Sequence, residues 1–95
     1  MRRKILWTSL ALKDLLEIKE YIHRENPSAA KKEADKIKKA TERLSQFPES
    51  GRSLKTLPTL REVISGNYHI FYRAEATQVA ILRIYHGKRN IPFLP

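Results

Sequence analysis

Cysteine is absent from the 95 residues, which excludes a disulfide framework, a thiolate nucleophile and a cysteine-ligated zinc site. Long apolar runs are missing as well. The basic start Met1-Arg2-Arg3-Lys4 is not followed by an apolar core of signal-peptide length, and no stretch approaches what a bilayer crossing needs. A cytoplasmic protein without membrane association is expected. There is no internal repeat and no low-complexity segment. A chain this short buries one modest core, so residues 1–95 read as a single domain.

Acidic residues are unevenly scarce. The net charge is +9; residues 1–50 carry 12 Lys/Arg against 8 Asp/Glu, whereas residues 51–95 carry 7 against 2. The mixed charges of the front half, such as Glu17, Lys19, Glu20, Lys31, Lys32, Glu33, Asp35, Lys36 and Lys38, are those of solvated helix faces. The back half holds only Glu62 and Glu75 among its cations, a balance that suits an anionic partner. Weak, salt-sensitive binding to nucleic acid through phosphates follows from the charge alone.

Apolar periodicity supplies the elements. Ile5, Leu6 and Trp7 form a short strand, and Thr8 or Ser9 can cap the helix that follows to about Arg24. Along it Ala11, Leu15, Ile18 and Ile22 make an apolar stripe that Leu12 and Leu16 widen. Asn26-Pro27 ends that helix and starts another, with asparagine as N-cap and proline at the first helical position. This second helix runs to about Phe47 with Ala30, Ala34, Ile37, Thr41 and Leu44 on one face, and Pro48 and Gly51 close it. A loop of about twelve residues then leads to strands over Leu60–Ser65, Tyr68–Arg73 and Gln78–Tyr85, the first two joined by a Gly66-Asn67 turn. The expected architecture is α+β, in the order β-α-α-β-β-β, with a helical hairpin on one face of a small, mainly antiparallel sheet. Ala80, Leu82 and Ile84 are expected to face the helices, leaving Arg83 and Tyr85 outward. Trp7, Tyr21, Phe47 and Phe71 are expected in the core, and an exposed His23 at a helix end.

Several blocks carry a family resemblance: Trp7-Thr8, Ala11, Asp14-Leu15, Ile18, Tyr21-Ile22; Asn26-Pro27; Phe47-Pro48-x-x-Gly51-Arg52; Leu60-Arg61-Glu62; Tyr68-x-Ile70-Phe71-Tyr72-Arg73; and Ile81-x-Arg83-Ile84-x-His86-Gly87-x-Arg89. In order and across the chain they resemble the ParE/RelE superfamily of toxins from toxin–antitoxin modules. The resemblance implies a toxin silenced by a cognate acidic antitoxin. It also implies one of two activities: RelE-like members cut mRNA within the ribosome, whereas ParE-like members are not enzymes and poison DNA gyrase. The sequence departs from the RelE pattern, with no terminal tyrosine and with Arg61-Glu62 where paired lysines would stand. The closing His86-Gly-Lys-Arg-Asn-Ile-Pro resembles the ParE side, so a gyrase-binding poison is the expected function and an endoribonuclease the alternative.

Candidate site residues follow from this. Antitoxin or target contacts are expected at Arg61, Arg73, Arg83, Lys88 and Arg89, because guanidinium groups on strands suit phosphate or carboxylate docking. For a nuclease the active cleft would use His69, Arg83, His86 and Arg89. Neither His69 with Tyr68 nor His86 with Tyr85 forms a working pair, since strand neighbours point to opposite faces. Arg83 would otherwise form an ion pair with Glu62 or Glu75. No metal and no cofactor are expected, for no His/Asp/Glu cluster has ligand spacing.

Overall fold

In the computed structural model, which describes residues 2–87, a helical hairpin covers one face of a five-stranded mixed sheet. The elements are β1 (Lys4–Trp7), α1 (Ser9–His23), α2 (Pro27–Gln46), β2 (Arg52–Ser53), β3 (Arg61–Ser65), β4 (Tyr68–Ala74) and β5 (Gln78–His86). Spatial order is β1-β5-β4-β3-β2, with β1 parallel to β5 and every other pair antiparallel. The expected α+β architecture is therefore present, with one addition. The two-residue β2 lies inside the long loop and pairs with Arg61 and Glu62. Two residues are too few to leave a periodic signal.

Capping follows the sequence. The Thr8 hydroxyl oxygen accepts from the Ala11 N–H at 3.3 Å, and the Asn26 side chain accepts from the Ala29 N–H at 3.2 Å with Pro27 at the start of α2. Thr8 has a further task. Its hydroxyl donates to the Ile81 carbonyl at 2.8 Å and its N–H donates to the same oxygen at 3.1 Å, so the start of α1 is fastened to the middle of β5.

The sheet register contains the main departure from the expected pattern. Tyr72 pairs with Ile81 but Phe71 pairs with Arg83, so Leu82 is an extra residue without an opposite number. This is a β-bulge, and it reverses the alternation of β5. Before it Val79 and Ile81 face the helices; after it Ile84 does. The expectation that Ala80, Leu82 and Ile84 share that face holds only for Ile84, because strict alternation assumes that no residue is inserted.

The helix-side core joins Ala11, Leu15, Ala34, Ile37, Leu44, Ile70, Tyr72, Val79, Ile81 and Ile84. Each fully buried large aliphatic contributes roughly 1.5–3 kcal/mol of transfer free energy. Phe71 is buried on the opposite face with Leu54 and Tyr85. Trp7 is half-buried against the main core. The expected core positions of Tyr21 and Phe47 are not observed: they are 74% and 57% exposed. Leu12 and Leu16 are also exposed, at 46% and 64%. Helix geometry explains the leucines, since they lie about 100° and 140° round the axis from Ala11, while Leu15, Ile18 and Ile22 stay within about 40° of it. His23 is exposed in the last turn of α1.

The Phe47-Pro48-x-x-Gly51-Arg52 block owes its composition to Tyr72. The Tyr72 hydroxyl donates to the Pro48 carbonyl at 2.8 Å and accepts from the Gly51 N–H at 2.9 Å, tying the loop to the sheet. A Cβ at Gly51 would stand 2.4 Å from that hydroxyl oxygen and 2.8 Å from the Glu62 carbonyl oxygen, so only glycine fits. Burial pushes the Tyr72 phenol above its ordinary value, with the Gly51 hydrogen bond and Arg61 opposing.

Two outcomes are expected. Tyr72→Phe leaves the buried Gly51 N–H without its acceptor and should cost about 1–3 kcal/mol in urea unfolding. Because the folded phenol stays neutral where the unfolded one ionises, wild-type stability should fall as pH rises above about 10. Tyr72→Phe should show a shallower alkaline loss; an unchanged slope would assign it to other groups.

Candidate functional site

β3, β4 and β5 carry the predicted residues, and the bulge sorts them between two faces. On the face away from the helices His69 lies opposite Tyr85 and Phe71 lies opposite Arg83. On the helix face Tyr68 lies opposite His86, with the two rings edge-on at 5.3 Å. Each histidine is thus matched with the tyrosine that precedes the other one. Sequence neighbours do not pair, as strand geometry requires, but cross-strand neighbours do.

The Glu62 carboxylate organises one end of the outer face. Its side chain is 2% exposed and it takes two partners: Arg52 at 2.8 Å through one oxygen and His69 Nδ1 at 2.5 Å through the other. An ionised carboxylate only accepts, so Nδ1 is the donor and the ring's other nitrogen, Nε2, is left facing Gly87. The His69 ring stacks on Phe71 at 6.4 Å, and Phe71 meets Tyr85 edge-on at 5.9 Å. Arg52 had no role in the sequence reading; β2 brings it to Glu62.

Arg83 has a different partner from those expected. Its Nε and one terminal nitrogen donate to the two oxygens of Asp14 at 2.8 and 3.1 Å, and the guanidinium carbon sits 4.8 Å from the Tyr85 ring centre. Glu62 and Glu75 are taken instead by Arg52 with His69 and by Arg73. Asp14 also accepts from the Ile84 N–H at 2.9 Å, beyond the last residue of β5 that β1 pairs. This hydrogen-bonded carboxylate raises the Arg83 guanidinium above its already high ordinary value, so the arginine is permanently charged.

The remaining cations differ in their freedom. Arg61 donates to the Gly51 carbonyl at 2.8 Å and the Glu49 carbonyl at 3.3 Å, holding the loop over the sheet. Arg73 meets Glu75 at 3.4 Å and is half exposed. Lys88 and Arg89 lie outside the described residues.

Beside His86 runs a groove of about 550 Å³ between α1 and the end of β5. Asp14, Glu17 and Glu20 line it along with Arg24, Tyr21, Tyr68 and His86. Three carboxylates against one arginine, itself 3.7 Å from Glu20, make it a poor seat for phosphate. Among the described residues, no three His, Asp or Glu side chains gather where they could hold a metal ion, and no helix is long and apolar enough to cross a membrane.

The Asp14 cluster generates a stability expectation. Asp14→Ala strands a partly buried guanidinium and a strand-edge N–H, and should lower unfolding stability by about 2–3 kcal/mol. Asp14→Asn keeps an acceptor for Ile84 and should lose less. Equal losses for the two variants would show that the Ile84 contact contributes little.

Known proteins share both the sequence and the fold. A model of the ParE toxin of type II toxin–antitoxin systems, parDE, matches residues 5–91. Toxin RelE2 of Caulobacter vibrioides is 41% identical over 87 residues, covering 90% of this chain and 97% of that protein. Among solved structures, the chromosomal ParDE system of P. aeruginosa superposes with a TM-score of 0.79 at 23% identity, covering 90% of this chain and 96% of the other, a likeness of fold alone. The toxin–antitoxin complex RelBE2 of Mycobacterium tuberculosis gives a TM-score of 0.65 at 27% identity, covering 90% and 99%. Match, identity and fold converge: this chain belongs to the ParE/RelE family of toxins from type II toxin–antitoxin systems.

Proposed function

We propose that this toxin arrests growth by binding and poisoning DNA gyrase, without hydrolysing a substrate, and that a small acidic antitoxin neutralises it in the cytoplasm. The observation that carries the gyrase reading is the separation of the candidate catalytic groups. His69 and His86 occupy opposite faces of the sheet, Arg83 is held by Asp14, and the groove beside His86 is lined by carboxylates. Cleavage of RNA needs an acid, a base and cations around one phosphate within hydrogen-bond reach. Of the expected contact residues, Arg73 is the most available of the described three. Arg61 and Arg83 hold the loop and α1.

Ribosome-dependent mRNA cleavage is the second reading, and one arrangement favours it. Glu62 orients His69 on the same face as Arg83 and Tyr85, a set of groups that acid–base chemistry can use. Growth arrest separates the readings when scored together with plasmid supercoiling and mRNA integrity. Wild type, His69→Gln and His86→Ala should all arrest growth, impair supercoiling and leave mRNA intact, while truncation after Gly87 abolishes arrest. A folded His69→Gln or His86→Ala protein whose activity falls about 10²-fold or more would replace the gyrase reading with the nuclease one.

The antitoxin should dock through α1. Leu12 and Leu16 are exposed there, and Leu12 with Ile5, Trp7, Leu15 and Thr41 lines a second groove of about 340 Å³ between β1 and the two helices. Apolar anchors of this kind carry protein interfaces, with charge complementarity at the rim. Co-expression with the adjacent reading frame should yield a stoichiometric complex. Leu16→Asp, which touches no core residue, should weaken capture at least about tenfold. Recovery of no small partner would remove the antitoxin from this account.

A further inference from the structure

Exposed cations outside any ion pair are spread over the described residues, Lys4, Lys13, Lys19 and Lys55 among them, and one helix sets four more in line. In the second half of the chain Arg52, Arg61, Arg73 and Arg83 are each engaged by an acid or by carbonyl oxygens. α2, by contrast, carries Lys32, Lys36, Lys39 and Arg43, all exposed and none of them within an ion pair. Their spacing is i, i+4, i+7, i+11, which places them within an arc of about 60° along a line of about 16 Å. Glu33 falls to one side of this arc, and Asp35 and Glu42 fall to the other. Like charges at i, i+4 oppose helix formation by a few tenths of a kcal/mol per pair. Asp35 stands at pairing spacing from Lys32 and Lys39, Glu33 from Lys36 and Glu42 from Lys39, but none of these closes into an ion pair among the described residues.

We propose that this ridge is a docking surface for the phosphate backbone of B-form duplex DNA. Four cations in a line with no intervening acid complement a row of phosphates, and each phosphate neutralised releases counterions. No leucine or aromatic side chain lies between its four cations; Phe47, 57% exposed at the C-cap of α2, is a single apolar group at its end, whereas Leu12 and Leu16 stand together on α1. One aromatic at one end is not the succession of aromatic platforms on which single-stranded bases stack. A straight helix face of lysines and one arginine fits the backbone along the wide groove of a B-form duplex, and it predicts binding without sequence preference. Lys36 leans toward the β3–β4 turn, its amine 3.8 Å and a Glu33 carboxylate oxygen 3.3 Å from where a Gly66 Cβ would stand, so the turn and one acid adjoin the ridge at this point. DNA held here is separate from the choice of toxic target.

Fluorescence anisotropy with a 20-bp duplex of arbitrary sequence, titrated across roughly 50–200 mM salt, tests this. Changing Lys32, Lys36, Lys39 and Arg43 together to Gln should reduce the slope of log K against log salt by about 3–4, at 0.9 per phosphate contact. The pair Lys32→Gln with Lys39→Gln should remove about half of that. Lys4, Lys13, Lys19 and Lys55 changed together to Gln alter the net charge equally and should shift the slope by no more than about 1. Far-UV circular dichroism confirms that each variant is folded. Equal losses from the ridge and the control set would reduce the effect to net charge and overturn the ridge. Tighter binding of duplex RNA, or of a poly-glutamate peptide, than of duplex DNA would overturn the assignment of DNA as its occupant.

Discussion

Where β1 stops pairing with β5, the carboxylate of Asp14 takes over the work of a neighbouring strand. β1 runs alongside β5 only as far as Ile81, and from there the edge of β5 is open to α1. Asp14 accepts from the Ile84 N–H and from two nitrogens of Arg83, so one side chain satisfies a strand-edge donor and a partly buried cation together. A buried or half-buried guanidinium without such a partner carries a desolvation penalty of several kcal/mol. The position of α1 over the sheet, the direction of Arg83 and the shape of the groove beside His86 all rest on this contact.

The bulge at Leu82 acts with it. Inserting one residue shifts the alternation of β5, which carries Ile84 and His86 to the helix face and Arg83 and Tyr85 to the other. Thr8 holds the strand just before this point through the Ile81 carbonyl, and Asp14 holds it just after. Two short stretches of α1 and its cap therefore brace an irregularity that a regular ladder would not keep. The result divides the two histidines between faces, leaving His69 with Arg83 and Tyr85 on one and His86 with Tyr68 on the other.

The motif residues of the family resemblance have structural duties in this molecule. Gly51 admits the Tyr72 hydroxyl, Arg61 holds the loop carbonyls, Arg52 and His69 compensate buried Glu62, and Asp14 secures Arg83. Little of that set is left over for chemistry. Exposed cations outside any ion pair among the described residues are spread over the molecule, and four of them fall in line on α2, whose composition reads as an ordinary solvated surface. The paired exposed leucines Leu12 and Leu16 are on α1 and the line of four cations is on α2, so the two helices present surfaces of different character.

Local sequence determined the helices, the Asn26 cap, the Gly66 turn and the chain order of β1, β3, β4 and β5, because these depend on residues close together in the chain; it left the cap of α1 open between Thr8 and Ser9 and held no signal for β2 or for the pairing of β1 with β5. Family membership was legible as well, since spaced blocks of residues survive as a linear pattern. Faces and partners were not. Leu82 reads as one more member of an alternating strand, and only pairing with β4 makes it the inserted residue. Arg83 meets Asp14 across 69 positions, and Tyr72 meets Pro48 across 24. Tyr21 and Phe47 looked like core residues because aromatics are usually buried, yet both lie on helix surfaces that no other element covers among the described residues. Which cation is engaged and which is free is a property of three-dimensional neighbours, and a linear count of charge carries no information about it.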